Sequence, residues 1–202
     1  MKRIVSILTL TVLLCGACLF ACTSCKNSEN GKKDTVKAEI VVKDYGTITL
    51  ELDPTNAPIT VDHFIKLAKE GAYDGAYFNR VQPGFVLQGG DGCKDNSTIK
   101  GEFAENGVNN QIIHTKGVIS MARATDPNSA SSQFFIVLDD AARTSLDGLY
   151  AGFGHVVKGW DVVEKICNSI DFTDVTEDYY GYYMGFLKES SYIVIETVRV
   201  VD

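Results

Sequence analysis

The sequence lacks any large cluster of basic residues. Its 202 residues include 19 Lys and Arg against 26 Asp and Glu, which gives a formal net charge of −7 and an isoelectric point of about 5.0. A nucleic-acid partner requires a basic face that neutralises phosphates. The charge balance therefore predicts that this chain binds no nucleic acid.

A metal-ligand pattern is also missing. His63, His114 and His155 lie far apart without metal-ligand spacing, and we expect them to be structural or exposed. Cys18 and Cys22 have a plausible ligand spacing, but no second pair of ligands follows them. The sequence therefore predicts no metal site.

The N-terminus has no apolar run long enough to cross a membrane, which takes about 20 residues. Residues 4–14 are apolar and uncharged, they follow Lys2 and Arg3, and small residues come after them. This order is typical of a secretory signal. We predict a signal peptide over residues 1–21.

The end of that signal carries four of the six cysteines. Leu19-Phe20-Ala21-Cys22 resembles the lipobox of bacterial lipoproteins, in which a small residue precedes the lipidated cysteine. The resemblance implies lipidation at Cys22 and a lipid anchor to a membrane of the bacterial cell envelope, with the protein facing the periplasm or exterior. Phe20 is bulkier than the usual residue, so Cys18 and Cys25 stay open as alternatives.

The rest of the chain divides into a polar tether over residues 22–36 and one folded domain over residues 37–202. Hydrophobic residues make up 45% of the sequence, which argues against a disordered protein. Cys93 and Cys167 fall in the folded part, and a disulfide between them is possible in an oxidising compartment.

Periodicity in the folded part predicts a mainly β protein. A helix is predicted from an N-cap at Thr60 to Gly71, and another over residues 161–170. Apolar alternation and short apolar runs predict strands over 38–42, 48–52, 77–81, 85–88, 117–121, 134–138, 154–157 and 192–200. Many short strands with only two helices favour an antiparallel barrel or sandwich.

Four segments carry the chemistry: FNRVQPGFVLQGGD (78–91), GVISMARA (117–124), SSQFFI (131–136) and SLDGLYAGFG (145–154). Arginine is rarely buried without a partner, and Arg80 stands in an apolar, strand-like run. Taken alone, it could be a structural ion pair. A fixed cation beside an apolar pocket also suits a ligand with one apolar ring and nearby carbonyls, such as a peptidyl proline. Strand alternation directs Phe134 to the core and Phe135 the other way.

Together the four segments resemble the cyclophilin family of peptidyl-prolyl cis–trans isomerases, over roughly residues 38–202. The resemblance implies an eight-stranded antiparallel barrel capped by two helices. It also implies a monomeric isomerase that needs no cofactor, acts on proline-containing polypeptide clients and assists protein folding in the envelope.

The resemblance also implies the site residues. The catalytic residue is Arg80. The proline pocket is formed by Phe85, Met121, Phe135 and Leu146. Ala122 lines the subsite before that pocket, Tyr150 stands at its rim, and the substrate backbone is held by Gln88, Gln133 and the backbone around Arg123.

Two positions depart from the family pattern. Ser145 replaces a tryptophan that many members carry beside the pocket leucine, which implies weak binding of cyclosporin-type ligands. Tyr150 replaces a histidine and keeps an aromatic face and a hydroxyl group.

A second hypothesis is a binding module that recognises proline-containing segments, with turnover incidental. The tyrosine-rich run over residues 179–186 favours it, because grouped aromatic residues are common on partner surfaces. The same run could instead be an aromatic hairpin folded onto the barrel.

Overall fold

The computed structural model describes residues 33–171, 175–176 and 184–201. Its helices are α1 (Pro58–Lys69), α2 (Arg143–Leu146) and α3 (Trp160–Ser169). The strands are β1 (Val36–Val42), β2 (Gly46–Leu52), β3 (Tyr77–Gln82), β4 (Val86–Asp91), β5 (Val118–Met121), β6 (Phe134–Val137), β7 (Ala151–Lys158) and β8 (Ile193–Val201).

The eight strands form a closed antiparallel barrel in the order β1-β2-β7-β5-β6-β4-β3-β8. The fold prediction is therefore confirmed, and the barrel alternative over the sandwich is correct. Closure pairs both edges of the sheet, which leaves no open edge of the kind that templates aggregation.

Alternating side chains of the strands fill the barrel. In β2, Ile48, Leu50 and Leu52 are fully buried while the residues between them are partly exposed. Phe134 lies inside with its ring edge-on to Phe64, at 5.8 Å between centroids, as its alternation predicts. The inside of the barrel is therefore filled mainly by apolar side chains.

Helix α1 begins earlier than the sequence predicted. Its N-cap is Ala57, Pro58 occupies the first turn, and Thr60 is already inside the helix. The capping acceptor comes from elsewhere in the chain: the buried carboxylate of Glu102 accepts hydrogen bonds from the backbone N–H groups of Ile59 (3.0 Å) and Thr60 (2.7 Å). A distant carboxylate satisfies the free N–H groups that a local cap would otherwise serve. Such long-range capping leaves no local sequence signal.

Helix α3 follows β7 through Gly159, which has a φ of 84°. A Cβ atom at Gly159 would lie 2.2 Å from the carbonyl oxygen of Thr47, so only glycine fits there. Val162, Val163 and Ile166 form the buried face of the helix, which packs against β2.

The cysteines of the described domain are not paired. Cys93 is a buried free thiol, and Cys167 is a partly buried free thiol whose pKa burial raises to about 11. The disulfide that the sequence left possible is absent between them.

The N-terminal predictions fall on residues 1–32, which lie outside the described residues, and Cys22 is among them. Strand β1 begins at Val36, one residue before the predicted start of the domain. Within the described part of the chain, no helix combines the length and apolarity that crossing a bilayer requires.

Candidate active site

A β-bulge in the β3–β4 hairpin sets the direction of Arg80. Phe78 pairs with Gly89 and Arg80 pairs with Gln88, so Asn79 is an extra residue on β3. Phe78 and Val81 can therefore both face the barrel core, although they are three residues apart. Arg80 consequently points to the outer face of the barrel.

The Arg80 guanidinium is held by three acceptors. Its Nε donates to the carbonyl oxygen of Met184 at 2.7 Å, Nη1 donates to Oε1 of Gln88 at 3.2 Å, and Nη2 donates to Oε1 of Gln82. The rings of Phe85 and Phe186 lie 5.8 Å and 5.2 Å from its Cζ. Burial lowers the pKa of Arg80, but an arginine pKa starts so high that the group stays protonated.

A chain of amide groups fixes the orientation of Gln88. Its Nε2 donates to Oε1 of Gln133 at 2.8 Å, and Gln133 Nε2 donates to Oδ1 of Asp91 at 3.2 Å. The second oxygen of Asp91 accepts from Asn79 Nδ2 at 2.8 Å. Because a carboxylate only accepts hydrogen bonds, Asp91 dictates which way both glutamine amides point. Asp91 was not among the site residues predicted from the sequence.

Beside Arg80 lies a cavity of about 210 Å³ that has an apolar wall and several polar lining side chains. The Phe135 and Tyr150 rings meet edge-on in this wall, with centroids 5.5 Å apart. Eight of the ten predicted site residues line the cavity: Arg80, Phe85, Gln88, Ala122, Arg123, Phe135, Leu146 and Tyr150. A concave apolar site with a few convergent polar groups is the usual form of a ligand pocket.

The other two predicted residues lie elsewhere. Met121 was expected in the proline pocket but is 1% exposed and belongs to the barrel core, on the opposite face of its strand from Ala122. Val86 lines the wall instead, packed in a small outer cluster with Phe135 and Leu146. The alternation of β4 could have identified Val86 as a pocket residue, because Val86 and Gln88 face the same side of the strand.

Gln133 lines a second cavity of about 260 Å³ that adjoins the first. Gln88, Ala122 and Arg123 line both cavities, and Ser129 and Ser131 line the far side of the second. The two cavities therefore share one wall and form one continuous groove.

Arg123 forms part of the rim between the two cavities. Its Nε donates to the carbonyl oxygen of Leu149 at 3.0 Å, and its Cζ lies 4.9 Å from the ring centroids of both Phe103 and Tyr150. Ser145 lies on α2, a few residues before Leu149 and Tyr150. It is exposed and precedes the buried Leu146. Beside Leu146, the lining of the cavity therefore carries the Tyr150 ring, and position 145 adds no aromatic side chain.

Behind Phe135, the buried His114 bridges two polar groups. Its Nδ1 lies 3.0 Å from Oδ1 of Asp147, and its Nε2 lies 2.9 Å from Oγ of Ser120. Desolvation lowers the pKa of His114 despite the opposing effect of Asp147, so the imidazole is neutral near pH 7. Ser120 is fully buried and the His114 ring stacks on Phe135, so this cluster supports the pocket wall and exposes no nucleophile.

The other two histidines have separate environments. His63 is 7% exposed, and its Nε2 lies 2.9 Å from the carbonyl oxygen of Ser131, whereas His155 is exposed. Over the residues the structure describes, no three His, Cys, Asp or Glu side chains come together as metal ligands would.

Comparison with known proteins gives a consistent result. The family model for cyclophilin type peptidyl-prolyl cis-trans isomerases matches residues 37–179. A peptidyl-prolyl cis-trans isomerase of Acinetobacter baylyi is 37% identical, and the match covers 78% of this chain and 82% of that protein. Peptidyl-prolyl cis-trans isomerase A of Dickeya dadantii is 38% identical, with coverage of 77% and 80%.

Solved structures share the fold. A crystal structure of a Cryptosporidium parvum cyclophilin, determined in the presence of the dipeptide Ala-Pro, superposes with a TM-score of 0.64 at 23% identity. The match covers 82% of this chain and 99% of that one.

Proposed function

This chain belongs to the cyclophilin-type peptidyl-prolyl cis–trans isomerase family and is an enzyme of that class, and on this premise we propose how it works and where. Arg80 is the catalytic residue that accelerates rotation about Xaa-Pro bonds, and the enzyme assists protein folding in the bacterial cell envelope. The observation that carries the catalytic assignment is the position of the Arg80 guanidinium beside a cavity that has an apolar wall and is large enough for a small ring.

The reaction requires only that the prolyl amide lose its resonance. Rotation about a peptide bond has a barrier of about 18–20 kcal/mol, and uncatalysed prolyl exchange takes tens to hundreds of seconds. In the twisted state the proline nitrogen is pyramidal, and its lone pair accepts a hydrogen bond that the planar amide cannot accept. A donor aimed at this nitrogen therefore binds the transition state better than the substrate.

The contacts of Arg80 support this role. An arginine has five N–H groups. Hydrogen bonds to described residues engage one on Nε, one on Nη1 and one on Nη2. One N–H on each terminal nitrogen thus remains for substrate. The planar guanidinium can therefore donate to a substrate carbonyl oxygen and to the proline nitrogen at the same time. The three protein acceptors preorganise the donor before substrate arrives.

The apolar wall holds the ring while the acyl side rotates. Phe85, Val86, Phe135 and Leu146 would contact the proline ring, and the amides of Gln88 and Gln133 would hold the peptide backbone. None of these steps moves a proton to or from the enzyme.

A cis–trans exchange assay on a proline peptide, with the full chain in mild detergent, tests the assignment. We expect Arg80→Ala to lower kcat/KM by at least about a hundredfold, as removal of one preorganised transition-state donor does. Arg199→Ala is the matched control, because Arg199 is exposed and paired with Glu39 on the β1–β8 sheet surface. An Arg80→Ala enzyme within threefold of the unaltered protein would refute the assignment.

The envelope role rests on the N-terminal sequence. The apolar run that ends in Leu19-Phe20-Ala21-Cys22 supports export and lipidation at Cys22, with Cys18 and Cys25 as the alternative sites. Mass spectrometry of the mature N-terminus should find a lipid-modified cysteine in the membrane fraction. An unmodified chain that begins elsewhere would refute the anchor.

We further propose that the enzyme acts as a monomer on unfolded clients. Closure of the barrel supports this, because the described strands leave no open sheet edge for strand exchange. Light scattering of the detergent-extracted protein would reveal a dimer if the proposal is wrong.

A further inference from the structure

A short segment from the C-terminal part of the chain lies beside β3 at Arg80. Strand β8 pairs with only the first two residues of β3, Tyr77 and Phe78. Beyond them, residues 184–187, here called the flanking segment, take over this edge. Leu187 N–H donates to the carbonyl oxygen of Asn79 at 2.8 Å, and Val81 N–H donates to that of Gly185 at 2.8 Å.

The flanking segment is fixed in this position at several points. Leu187 is 3% exposed and packs in the barrel core. Gly185 has a φ of 75°, and a Cβ atom there would lie 2.3 Å from the carbonyl oxygen of Val81. Thr176 N–H donates to the carbonyl oxygen of Phe186 at 2.8 Å from the other side. The segment is therefore held between β3 and residues 175–176.

This anchoring presents Phe186 to the active site. Its ring lies 5.2 Å from the Arg80 guanidinium, which also contacts the Phe85 ring, and it lines the 210 Å³ cavity. The side chain remains 39% exposed, although the segment on either side of it is tied down. An exposed ring at the mouth of an apolar cavity offers a contact surface for a further apolar group.

The arrangement of the two cavities indicates which part of a substrate meets Phe186. The cavity lined by Gln133, Ser129 and Ser131 extends the groove past Ala122, on the side assigned to residues before the proline. Phe186 lines the first cavity and not the second. For a peptide whose preceding residues lie along Ala122 and the second cavity, the residue after the proline lies on the side of the first cavity, where Phe186 is the exposed apolar side chain.

We infer that Phe186 is a specificity-determining residue that contacts the side chain following the proline and selects for an apolar, above all aromatic, residue there. This inference rests on the proposed function. Contact between two aromatic rings is more favourable than burial of the same apolar area alone. The difference corresponds to about a threefold to tenfold preference for an aromatic residue after the proline.

The test compares two peptides that differ only in the residue after proline, Ala-Ala-Pro-Phe and Ala-Ala-Pro-Gln, with exchange followed by NMR on the full chain. The unaltered enzyme should favour the Phe peptide by about threefold to tenfold in kcat/KM. Phe186→Ala should reduce the ratio of the two rates to near one, and Phe186→Leu should give an intermediate ratio. Val194→Ala is the control, since Val194 has a similar exposure of 37% and does not line the cavity.

Each outcome is decisive. An equal ratio in the unaltered enzyme and Phe186→Ala, with both peptides still turned over, would overturn the inference and leave the proposed function standing. An equal fall for both peptides in Phe186→Ala would also overturn it, because the ring would then serve only to hold Arg80. If the unaltered enzyme accelerates neither peptide, the proposed function itself fails.

Discussion

Two arginines line the same cavity and are held in similar ways. Arg80 and Arg123 each donate from Nε to a distant backbone carbonyl, that of Met184 and that of Leu149. Each guanidinium also lies near two aromatic rings, Phe85 and Phe186 for the first and Phe103 and Tyr150 for the second.

Their terminal nitrogens differ. The Nη atoms of Arg80 donate to glutamine side chains, and one of these glutamines is oriented by the amide chain that ends at Asp91. Nη1 of Arg123 donates to the carbonyl oxygens of its neighbours Ala124 and Thr125. Arg80 belongs to a hydrogen-bond network that runs along the peptide groove, whereas Arg123 stabilises the loop that contains it. Similar surroundings therefore do not imply similar roles.

Conservative replacement should separate the two arginines most clearly. Arg80→Lys keeps the charge but loses the planar fork, and we expect kcat/KM to fall by about fiftyfold or more. Arg123→Lys should lower it by about fivefold or less, mainly through KM, because its loop contacts do not reach the reacting bond. Steady-state kinetics on one peptide measures both, and equal losses would remove the distinction.

Disruption of the amide chain from Gln88 to Asp91 should have the next largest effect on the rate. In Asp91→Asn, one acceptor oxygen becomes an NH2 group, which must face a donor of either Gln133 or Asn79. Rotation of the Gln133 amide would then break its bond to Gln88, and we expect kcat to fall by about tenfold. Thermal unfolding should accompany the assay, since a fall in kcat without a comparable loss of folded enzyme marks a positioning role. Unchanged kcat would show that Gln88 keeps its orientation without Asp91.

An aromatic side chain can be added to the rim on the side of Arg123. Ser145 is exposed beside Leu146, so a tryptophan there would extend the aromatic rim that Tyr150 begins. We expect Ser145→Trp to tighten cyclosporin binding by about tenfold while peptide turnover changes little. Calorimetric titration of both proteins measures the difference. Equal affinities would mean that the missing ring does not limit binding.

The smallest effect expected is that of pH on the rate. The Arg80 guanidinium stays protonated in the working range, so kcat/KM should vary by less than about twofold between pH 6 and 9. A bell-shaped profile that disappears on replacement of a histidine would instead indicate acid–base catalysis.

Stability should respond to pH where the rate does not. Burial lowers the pKa of both His114 and His63 in the folded chain. Below about pH 6.5 the unfolded chain therefore binds protons that the folded chain does not, and the free energy of unfolding should decrease as pH falls. Urea midpoints from pH 7.5 to 5.5 measure this, with the exposed His155→Gln as a control. A decrease that persists unchanged in His114→Asn would assign it to other groups.

Much of the fold could be predicted because strand alternation is local. The predicted strand segments match the eight observed strands to within a few residues, and the opposite directions of Phe134 and Phe135 follow from period two alone. The same rule could have corrected the assignment of Met121 to the proline pocket. Since Ala122 faces the groove, its neighbour Met121 must face the core.

The rest depends on contacts between residues far apart in the sequence. Phe186 lies 106 positions beyond Arg80, and only pairing at the edge of β3 brings the two together. The tyrosine-rich run was expected to be a hairpin or a partner surface. Its residues 179–183 lie outside the described structure, while Met184 and Phe186 contact Arg80 directly. Deletion of residues 179–186 should therefore impair even short-peptide turnover, because it would remove two contacts of Arg80.

The bulge at Asn79 makes backbone conformation, and not only residue identity, a condition for activity. Substitution of Asn79 would disturb its bond to Asp91 but leave the count of residues in β3 intact. A regular, unbulged strand with the same residues would place Arg80 on the face of Phe78 and Val81 on the opposite face, so the guanidinium would turn inward. Side chains at position 79 can consequently be exchanged only as long as the bulged backbone is kept.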